Sequence, residues 1–548
     1  PRDLPILEQA DLYEQFGDAA GAIEHNEESE RAFSIARERY LEADRPLEAA
    51  GILMSMATMS GRHGEPVEER LKLIAQTLHE IEAVPETPER EQLRGILLSL
   101  RAVTELDASM LDAAVVDAAE AIRLAEAASD RETVLEATLT AARIDIVAGR
   151  IEAGLVKGLR AAREARDAGY ESVGVTGYRN LAMFATRVLD YPSARSALQE
   201  GLRYADAIEQ SHCRQMMATT SAFLAWASGG WDLADATARQ ELVDRGCRRG
   251  VLGSLDVIGF VAMGRGQVDE ARRWLDESLE AGQRTQEIAA ILPAMWGLAE
   301  VELGAGDATG AAHRCNEALE LAAATEERAL LIPFIVTGAR AWLVARRPEE
   351  ADRWLESIRG VFSGWDALTG TATAHAEGLI RLSAGSMSAA REALETAVQG
   401  WTERGRIWEA TWARLDLAQC LMRSNRFAEA ASFLATARST AQELDSWPLM
   451  SRVEELHRAG RGRGTLDEPW RPLTAREFEV ARLIAEGLTN AEVAGSLSIA
   501  PKTASAHVEH ILAKLGVARR AEIATWVATV ASGPTAAAAL AESVGAPR

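Results

Sequence analysis

The chain has 548 residues and a formal net charge of −23, with 82 acidic residues, 59 basic residues and only 5% aromatics. The sequence contains neither a signal-peptide-like apolar segment nor an apolar run of 18 residues, so it predicts a cytoplasmic protein without a membrane span. Its four cysteines are separated by 34, 68 and 105 residues, a spacing that fits no metal site and predicts free thiols.

Residues 1–100 are helix-like but do not share the period of the sequence that follows. Asp44-Arg45-Pro46, followed by Ala49, resembles one isolated repeat turn. Proline-containing stretches at 63–66 and 84–88 predict loops. We expect this segment to cap the downstream array or to join it to an upstream module, since the chain begins at Pro1 and not at a methionine.

Residues 101–455 repeat with a period of about 40 residues, which predicts an array of helix pairs. Alanine, leucine, glutamate and arginine dominate, and alternating β-branched runs are missing. A short loop repeatedly precedes a small residue that opens an apolar-faced helix. These small residues are Ala114, Gly154, Ala194, Ala234, Ala271, Ala311, Ala351, Ala390 and Ala430. A second set lies 12–14 residues earlier, namely Gly259, Gly297, Gly338, Gly378 and Ala418.

A glycine and an alanine about twelve residues apart resemble the tetratricopeptide repeat, although that repeat is shorter and usually has a late proline. The predicted fold is therefore all-α, a TPR-like α-solenoid of eight or nine helix pairs. Such arrays present a concave surface, which we expect to bind a peptide, a protein or a small effector. Trp274 and Trp354 occupy equivalent repeat positions and are predicted to be core residues. Trp408 and Trp412, one turn apart, could pack in the core or line a ligand site.

Glycines and prolines in residues 456–472 predict a flexible linker, and the alanine-rich residues 533–548 predict a disordered tail. Between them, residues 473–532 predict four short helices. Two capping boxes, Thr474 with Glu477 and Thr489 with Glu492, open the first two, and Pro501 suits the first turn of the third. A short helix packed across a longer, polar-faced one is the geometry that lays a helix in the major groove of DNA.

The pattern of this segment resembles the LuxR-type DNA-binding domain. The matching positions are Leu473, Thr474, Arg476, Glu477, Gly487, Leu488, Asn490, Glu492, Ala494, Leu497, Ile499, Thr503, His507, Ile511, Lys514, Leu515, Gly516, Val517 and Arg520. The resemblance implies that Thr503 and Lys514 hold the sugar-phosphate backbone and that the fourth helix carries dimer contacts. The candidate DNA-binding residues are Thr489, Asn490, Lys502, Thr503, Ser505, Ala506, His507, Glu509, Lys514 and Arg520.

Two departures from the family pattern concern the base-reading positions. The pair Ala504-Ser505 replaces the frequent Val-Lys, and Glu509 replaces a residue that is commonly basic. Residues 473–530 hold six basic and six acidic residues, so one isolated domain should bind DNA weakly and with strong salt sensitivity. Glu509 could accept a hydrogen bond from a cytosine amino group or remain solvated. Residues 1–455 carry a net charge of about −25 and should be repelled by DNA.

No catalytic motif is visible, so we expect neither an enzyme nor a cofactor or metal site. A P-loop requires glycine before its lysine, but Leu71, Val156, Pro501 and Ala513 precede the four lysines. Motifs of the H-E-x-x-H, C-x-x-C and G-x-S-x-G types are also missing.

A helical array followed by this domain resembles the C-terminal part of the large ATP-binding LuxR-family regulators. The resemblance implies a nucleotide-binding module upstream, so the intact parent could be a nucleotide-hydrolysing switch. Our leading hypothesis is a regulator that binds double-stranded DNA. Its array would sense an effector or protein partner and control association of the C-terminal domain with promoters as a homo-oligomer. The alternative is a protein-interaction scaffold whose helix-turn-helix is vestigial or binds protein.

Overall fold

The computed structural model describes residues 4–22, 25–63, 67–108, 110–244, 248–285, 287–323, 327–463 and 473–531. All regular secondary structure within these ranges is helical, which confirms the all-α prediction. The chain divides into two compact units, Pro1–Glu454 and Glu455–Arg548. None of the described helices is both long and apolar enough to cross a membrane.

Twenty-three α-helices precede the C-terminal four. They are α1 (Ile6–Ala22), α2 (Asn26–Glu42), α3 (Pro46–His63), α4 (Val67–Glu82), α5 (Pro88–Asp107), α6 (Leu111–Ala127), α7 (Arg131–Val147), α8 (Ile151–Asp167), α9 (Glu171–Arg187), α10 (Tyr191–Ala207), α11 (Ser211–Ala227), α12 (Trp231–Asp244), α13 (Arg248–Arg265), α14 (Val268–Thr285), α15 (Ile288–Gly304), α16 (Ala308–Ala323), α17 (Ile332–Val344), α18 (Pro348–Val361), α19 (Asp366–Ser383), α20 (Met387–Glu403), α21 (Ile407–Arg423), α22 (Phe427–Glu443) and α23 (Trp447–Arg463). A 3-10 helix, Arg328–Leu331, precedes α17.

The predicted period appears directly in the helix starts. Every second helix from α6 to α22 begins at residue 111, 151, 191, 231, 268, 308, 348, 387 or 427. Each of the nine predicted small residues lies three positions into one of these helices and is buried. Burial without a bulky side chain lets the paired helix approach closely, so the TPR-like solenoid is confirmed.

The second set of small residues lies on the preceding helix of each pair, where the next helix packs against it. A Cβ atom added to Gly378 in α19 would lie 2.6 Å from Cγ of Leu394 in α20. The same addition at Gly259 would lie 2.6 Å from Cγ of Leu275, and at Gly338 it would collide with the Trp354 ring. These distances are shorter than van der Waals contact, so a side chain at these positions requires the helices to separate.

We therefore expect Gly378→Ala to lower the free energy of unfolding by about 1–3 kcal/mol, because the added methyl group overpacks the α19–α20 contact. Gly370 lies in the same helix, and a Cβ there meets nothing within 4 Å. Gly370→Ala should instead stabilise the protein by about 0.5–1 kcal/mol, since alanine favours helix. Urea denaturation of both variants tests this contrast. Equal effects of the two changes would contradict the close packing of α19 on α20.

Helices run across two of the predicted domain boundaries. Helix α5 runs through residue 100 and packs on α6, so the repeat array has no break there. Helix α23 continues to Arg463, eight residues into the predicted linker 456–472, because the glycines near its end do not interrupt the helix. The remainder of that linker, most of the loop at 63–66 and the tail 533–548 lie outside the described residues.

Several local predictions are confirmed. Asp44 has a left-handed φ of 58°, and Ala49, three residues into α3, is buried, as expected of a repeat turn. A non-helical segment separates α4 from α5 at the predicted proline-containing stretch. The cysteines that the structure describes, Cys213, Cys315 and Cys420, are free and buried; Cys247 lies outside the described residues.

The tryptophans follow the predictions in part. Trp354 is buried and Trp408 packs against Trp231 with 6.2 Å between ring centroids, so both are core residues. Trp274 is only half-buried, and the guanidinium of Arg273 stacks 4.6 Å from its ring centroid.

Within the first unit, repeats that are far apart in sequence touch each other, because the superhelix curls back on itself. Arg406 at the start of α21 donates a hydrogen bond of 3.0 Å to the Tyr191 hydroxyl at the start of α10, 215 residues away. The Ser446 hydroxyl donates to the Gly264 carbonyl oxygen at 2.6 Å. We call these contacts, together with the Trp231–Trp408 pair, the clasp.

Candidate nucleic-acid interface

The C-terminal unit contains four described helices, α24 (Ala475–Ala485), α25 (Asn490–Ser496), α26 (Pro501–Leu515) and α27 (Arg520–Ala531). Both predicted capping boxes are present. In the first, the Glu477 amide donates to Thr474 Oγ1 at 3.2 Å and the Thr474 amide donates to Glu477 Oε2 at 2.8 Å. Satisfying these otherwise unpaired amides fixes where the helix begins.

The three-dimensional arrangement of these helices follows from one apolar core. Its buried members are Leu473, Val480, Ala481, Ile484, Val493, Ala494, Ala504, Val508, Ile511, Ile523 and Val527. Ala504, Val508 and Ile511 form the inward face of α26. Ala504 is fully buried, so this departure from the family pattern lies in the core of the domain and not on its surface.

The opposite face of α26 is open to solvent. Lys502, Thr503 and Glu509 are exposed there, with Ala506 and His507 half-buried beside them. Within the described part of the chain, the side chains of Lys502, Thr503 and Glu509 make no hydrogen bond or ion pair. This face therefore presents a cation, a hydroxyl and a carboxylate that are available to an incoming ligand.

Three other predicted residues join one hydrogen-bond network inside the domain. Arg520 of α27 donates to Asn490 Oδ1 at 2.6 Å, and Asn490 Nδ2 donates to Ser505 Oγ at 3.1 Å. Arg520 also donates to the Leu488 carbonyl oxygen. The network ties α25, α26 and α27 together, so these side chains position the exposed face of α26.

Lys514 and Glu477 form a second tie, between the end of α26 and the start of α24. Lys514 Nζ lies 2.7 Å from Glu477 Oε2, whose side chain is only 6% exposed. Desolvation favours the neutral carboxyl, but hydrogen bonds from Lys514 and Thr474 outweigh it and lower the pKa of Glu477. Lys514 therefore stabilises the domain; its contact with a phosphate remains a prediction.

The domain has equal numbers of acidic and basic residues, but most of its carboxylates are already paired within the domain. Five of the six carboxylates are held within the domain by ion pairs or helix caps. These are Glu477, Glu479, Glu486, Glu492 and Glu522, while Glu509 stands on the open face. Thr489 belongs to one of these caps, so its hydroxyl is already engaged with Glu492.

Sequence reasoning left His510 and Arg476 out of the candidate set. His510 is exposed on α26, and its position one residue after Glu509 extends the same face. Arg476 donates to the Leu497 carbonyl oxygen at 3.0 Å, which closes the turn between α25 and α26. The family resemblance marked Arg476 but gave no reason for it.

Comparison with known proteins identifies this domain. The family described as "Bacterial regulatory proteins, luxR family" matches residues 471–527. The C-terminal domain is a LuxR-type helix-turn-helix domain. A tetratricopeptide repeat family matches residues 381–453 in the upstream array. Both recognitions made from the sequence are thus confirmed.

Curated relatives match this chain over short segments. A Mycobacterium bovis protein named as an HTH-type transcriptional regulator is 40% identical over 77 residues, 14% of this chain and 9% of the relative. LiaR of Bacillus subtilis is 33% identical over 106 residues, 19% of this chain and 48% of LiaR. NarL of Escherichia coli K12 is 40% identical over 65 residues, 12% of this chain and 30% of NarL. The matched region thus spans less than half the length of each of these relatives.

Two solved structures are similar to this chain at 12% sequence identity. One is a Rap protein complexed with competence and sporulation factor, with a TM-score of 0.48, covering 64% of this chain and 99% of that one. The other is a signal transduction ATPase with numerous domains and a tetratricopeptide repeat sensor from Pyrococcus horikoshii. Its TM-score is 0.38, and the match covers 72% of this chain and 62% of that one.

The open face of the LuxR-type domain leads to a mutational prediction. We expect Lys502→Ala and Thr503→Ala to weaken binding to all DNA sequences alike, because an exposed cation and an exposed hydroxyl suit phosphate contacts, which carry no sequence information. For Lys502→Ala the slope of log affinity against log salt should fall by about 1. Fluorescence anisotropy over a salt series measures both effects. Arg482→Ala, which removes an exposed charge from α24, is the matched control.

Changes at the other positions should separate base reading from domain stability. Glu509→Ala should alter which sequences are preferred without altering thermal stability, because its side chain is exposed. Ser505→Ala should alter preference and also disturb the Asn490 network. Lys514→Ala should weaken binding and lower stability together, since it leaves the buried Glu477 carboxylate without its cation. If all of these variants bind DNA like the wild type, α26 is not the recognition helix.

Proposed function

We propose that this protein is a DNA-binding transcriptional regulator whose helical array senses an effector or protein partner. The array would control association of the LuxR-type domain with promoter DNA. The observation that carries the proposal is the open face of α26. Lys502, Thr503 and Glu509 have no side-chain partner there among the described residues, while Asn490, Arg520 and Lys514 hold the helix in place. The names of the relatives, all regulators of transcription or of a response, support the same function.

Weak binding by a single domain would make association of chains the controlling step. A domain with zero net charge gains little from phosphate neutralisation, whereas two tethered domains gain affinity through effective concentration. We therefore propose that the active form is a homo-oligomer in the cytoplasm and that this chain regulates without catalysing a reaction or holding a cofactor. An upstream nucleotide-binding module in a longer parent protein belongs to the same proposal.

Selection of genomic DNA fragments by the purified chain at low salt tests the proposal, with a 1–472 truncation as control. Enrichment of a shared, two-fold symmetric motif that the truncation loses is the expected result. Gel-shift titrations should then show that affinity rises with self-association. If the folded chain enriches no motif with or without its effector, the scaffold alternative takes its place. Retained promoter binding by the isolated LuxR-type domain would count against that alternative.

A further inference from the structure

The interior of the helical array contains a cavity of about 480 Å³. Helices α7, α9, α11, α13 and α15 contribute residues to its wall, together with the 3-10 helix and the start of α17. The volume lies within the range of about 300–1,000 Å³ that is usual for small-molecule sites.

Most charged groups on the wall neutralise each other. Arg143 and Asp107 form an ion pair of 2.7 Å. Arg187 of α9 and Glu327 form another at 2.7 Å. These pairs hold the wall together and leave no net charge for a ligand to balance.

One carboxyl group on the wall is different. Asp256 of α13 is only 5% exposed, and its Oδ1 atom has no hydrogen-bond partner within the described part of the chain. Burial raises the pKa of Asp256 to about 8. Glu136 on α7 also lines the cavity, but it is exposed to solvent. A buried polar atom without a partner is costly to keep, so it points to a missing donor.

One guanidinium on the wall, Arg179, also lacks a carboxylate partner among the described residues. It donates to Asn180 Oδ1 at 3.0 Å and lies 3.7 Å from Cys213 Sγ. Neither of the ion pairs on the wall involves Asp256. A cationic group placed near Asp256 would donate to Oδ1 and favour ionisation of this carboxyl group.

An aromatic wall lies beside Asp256. Phe260 is one helical turn further along α13, and its ring centroid lies 5.2 Å from that of Trp296 and 6.3 Å from that of Phe223. All three residues line the cavity. Aromatic faces next to a carboxyl group suit an organic cation, because the rings attract positive charge and pack against an apolar body.

We propose that this cavity binds an organic amine with a flat apolar body, whose cationic nitrogen donates to Asp256 while its body packs on Phe260 and Trp296. The inference rests on the proposed function in one respect, since such an amine would be the effector that the array senses. Arg406 of the clasp also lines the cavity. An occupied cavity therefore contacts the residue that joins distant repeats.

Calorimetric titration of the full chain with a matched indole series tests the proposal. Tryptamine carries a cation, tryptophol is its uncharged alcohol and indole-3-acetate is the corresponding anion. At neutral pH we expect tryptamine to bind at least about tenfold more tightly than either analogue. Asp256→Asn should remove this preference by lowering tryptamine affinity at least about tenfold. Asp269→Asn, an exposed change at the start of α14, should leave it unchanged.

The outcomes are separable from those of the DNA-selection experiment, which does not involve the cavity. Equal binding of the three indoles, or no binding, would overturn the proposal even if the protein proves to be a transcriptional regulator. Unchanged tryptamine affinity in a folded Asp256→Asn variant, checked by circular dichroism, would overturn it as well. If that variant does not fold, the ligand comparison in the wild type decides. Binding of tryptamine without any promoter selection would support the site and remove its role as an effector site.

Discussion

Replacing Arg406 with alanine is expected to lower the free energy of unfolding of the array by about 3–5 kcal/mol, the usual cost of leaving a buried charge unpaired. The Arg406 side chain is only 2% exposed and forms an ion pair with Glu409. It also donates a hydrogen bond of 3.0 Å to the Tyr191 hydroxyl. Its guanidinium carbon lies 5.2 Å from the Trp226 ring centroid. The change would leave the buried Glu409 carboxylate without its cation and would remove the hydrogen bond that joins α21 to α10.

A matched exposed pair supplies the control for this prediction. Arg391 in α20 lies 3.8 Å from Glu395 with 40% of its side chain exposed, so Arg391→Ala should cost no more than about 1 kcal/mol. The double variant Arg406→Met with Glu409→Leu should recover most of the lost stability, because no charge is then left buried.

Because repeat arrays can lose cooperativity, urea unfolding should be combined with hydrogen exchange. In Arg406→Ala, loss of amide protection should centre on α10 and α21. A cost below about 1 kcal/mol would show that the clasp contributes little to stability.

The features that the sequence predicted correctly are governed by short-range physics. A helix start depends on residues three positions apart, so Thr474 with Glu477 and Pro501 could be located without coordinates. The small anchors Ala271 and Ala311 recur because every repeat makes the same contact with its neighbour. A repeated local requirement leaves a repeated pattern in the chain.

The features that were missed depend on how repeats far apart in sequence meet. Arg406 and Tyr191 are 215 residues apart, and their pairing follows from the accumulated curvature of the superhelix. The network from Arg520 through Asn490 to Ser505 likewise requires three helices to be placed. The sequence predicted Ser505 to be a base-reading residue, but it could not show that the Ser505 hydroxyl also accepts a hydrogen bond from Asn490 inside the domain.

Asp256 had a visible signal that was not used. It is the one acidic residue in the otherwise apolar and small-residue stretch 251–263. A lone carboxylate in such a stretch requires either a partner or a function. Only the packing of the inner helices shows that Oδ1 has no partner in the described part of the chain.

We expect Asp256→Asn to be more stable than the wild type, and the difference to grow with pH. Burial raises the pKa of Asp256 from its ordinary value of 3.8 to about 8. Between these two values the unfolded chain releases a proton that the folded chain retains. The wild type must therefore lose stability as pH rises through this window, whereas asparagine does not titrate. At pH 8 the gain should be about 2 kcal/mol or more, since each pKa unit is worth about 1.4 kcal/mol and relaxation around the charge returns part of it.

Urea denaturation of both proteins between about pH 4 and pH 8 measures this difference. If the unfolding free energies of the two proteins depend on pH in the same way, solvent reaches the Asp256 carboxyl group. A cationic ligand would then not be needed to balance it. A stability difference between the two proteins that grows with pH would mean that the buried Asp256 carboxyl group lowers the stability of the ligand-free wild type. Tryptamine should then narrow the gap by stabilising only the wild type, because a ligand that binds the native state adds its binding free energy to the stability of that state.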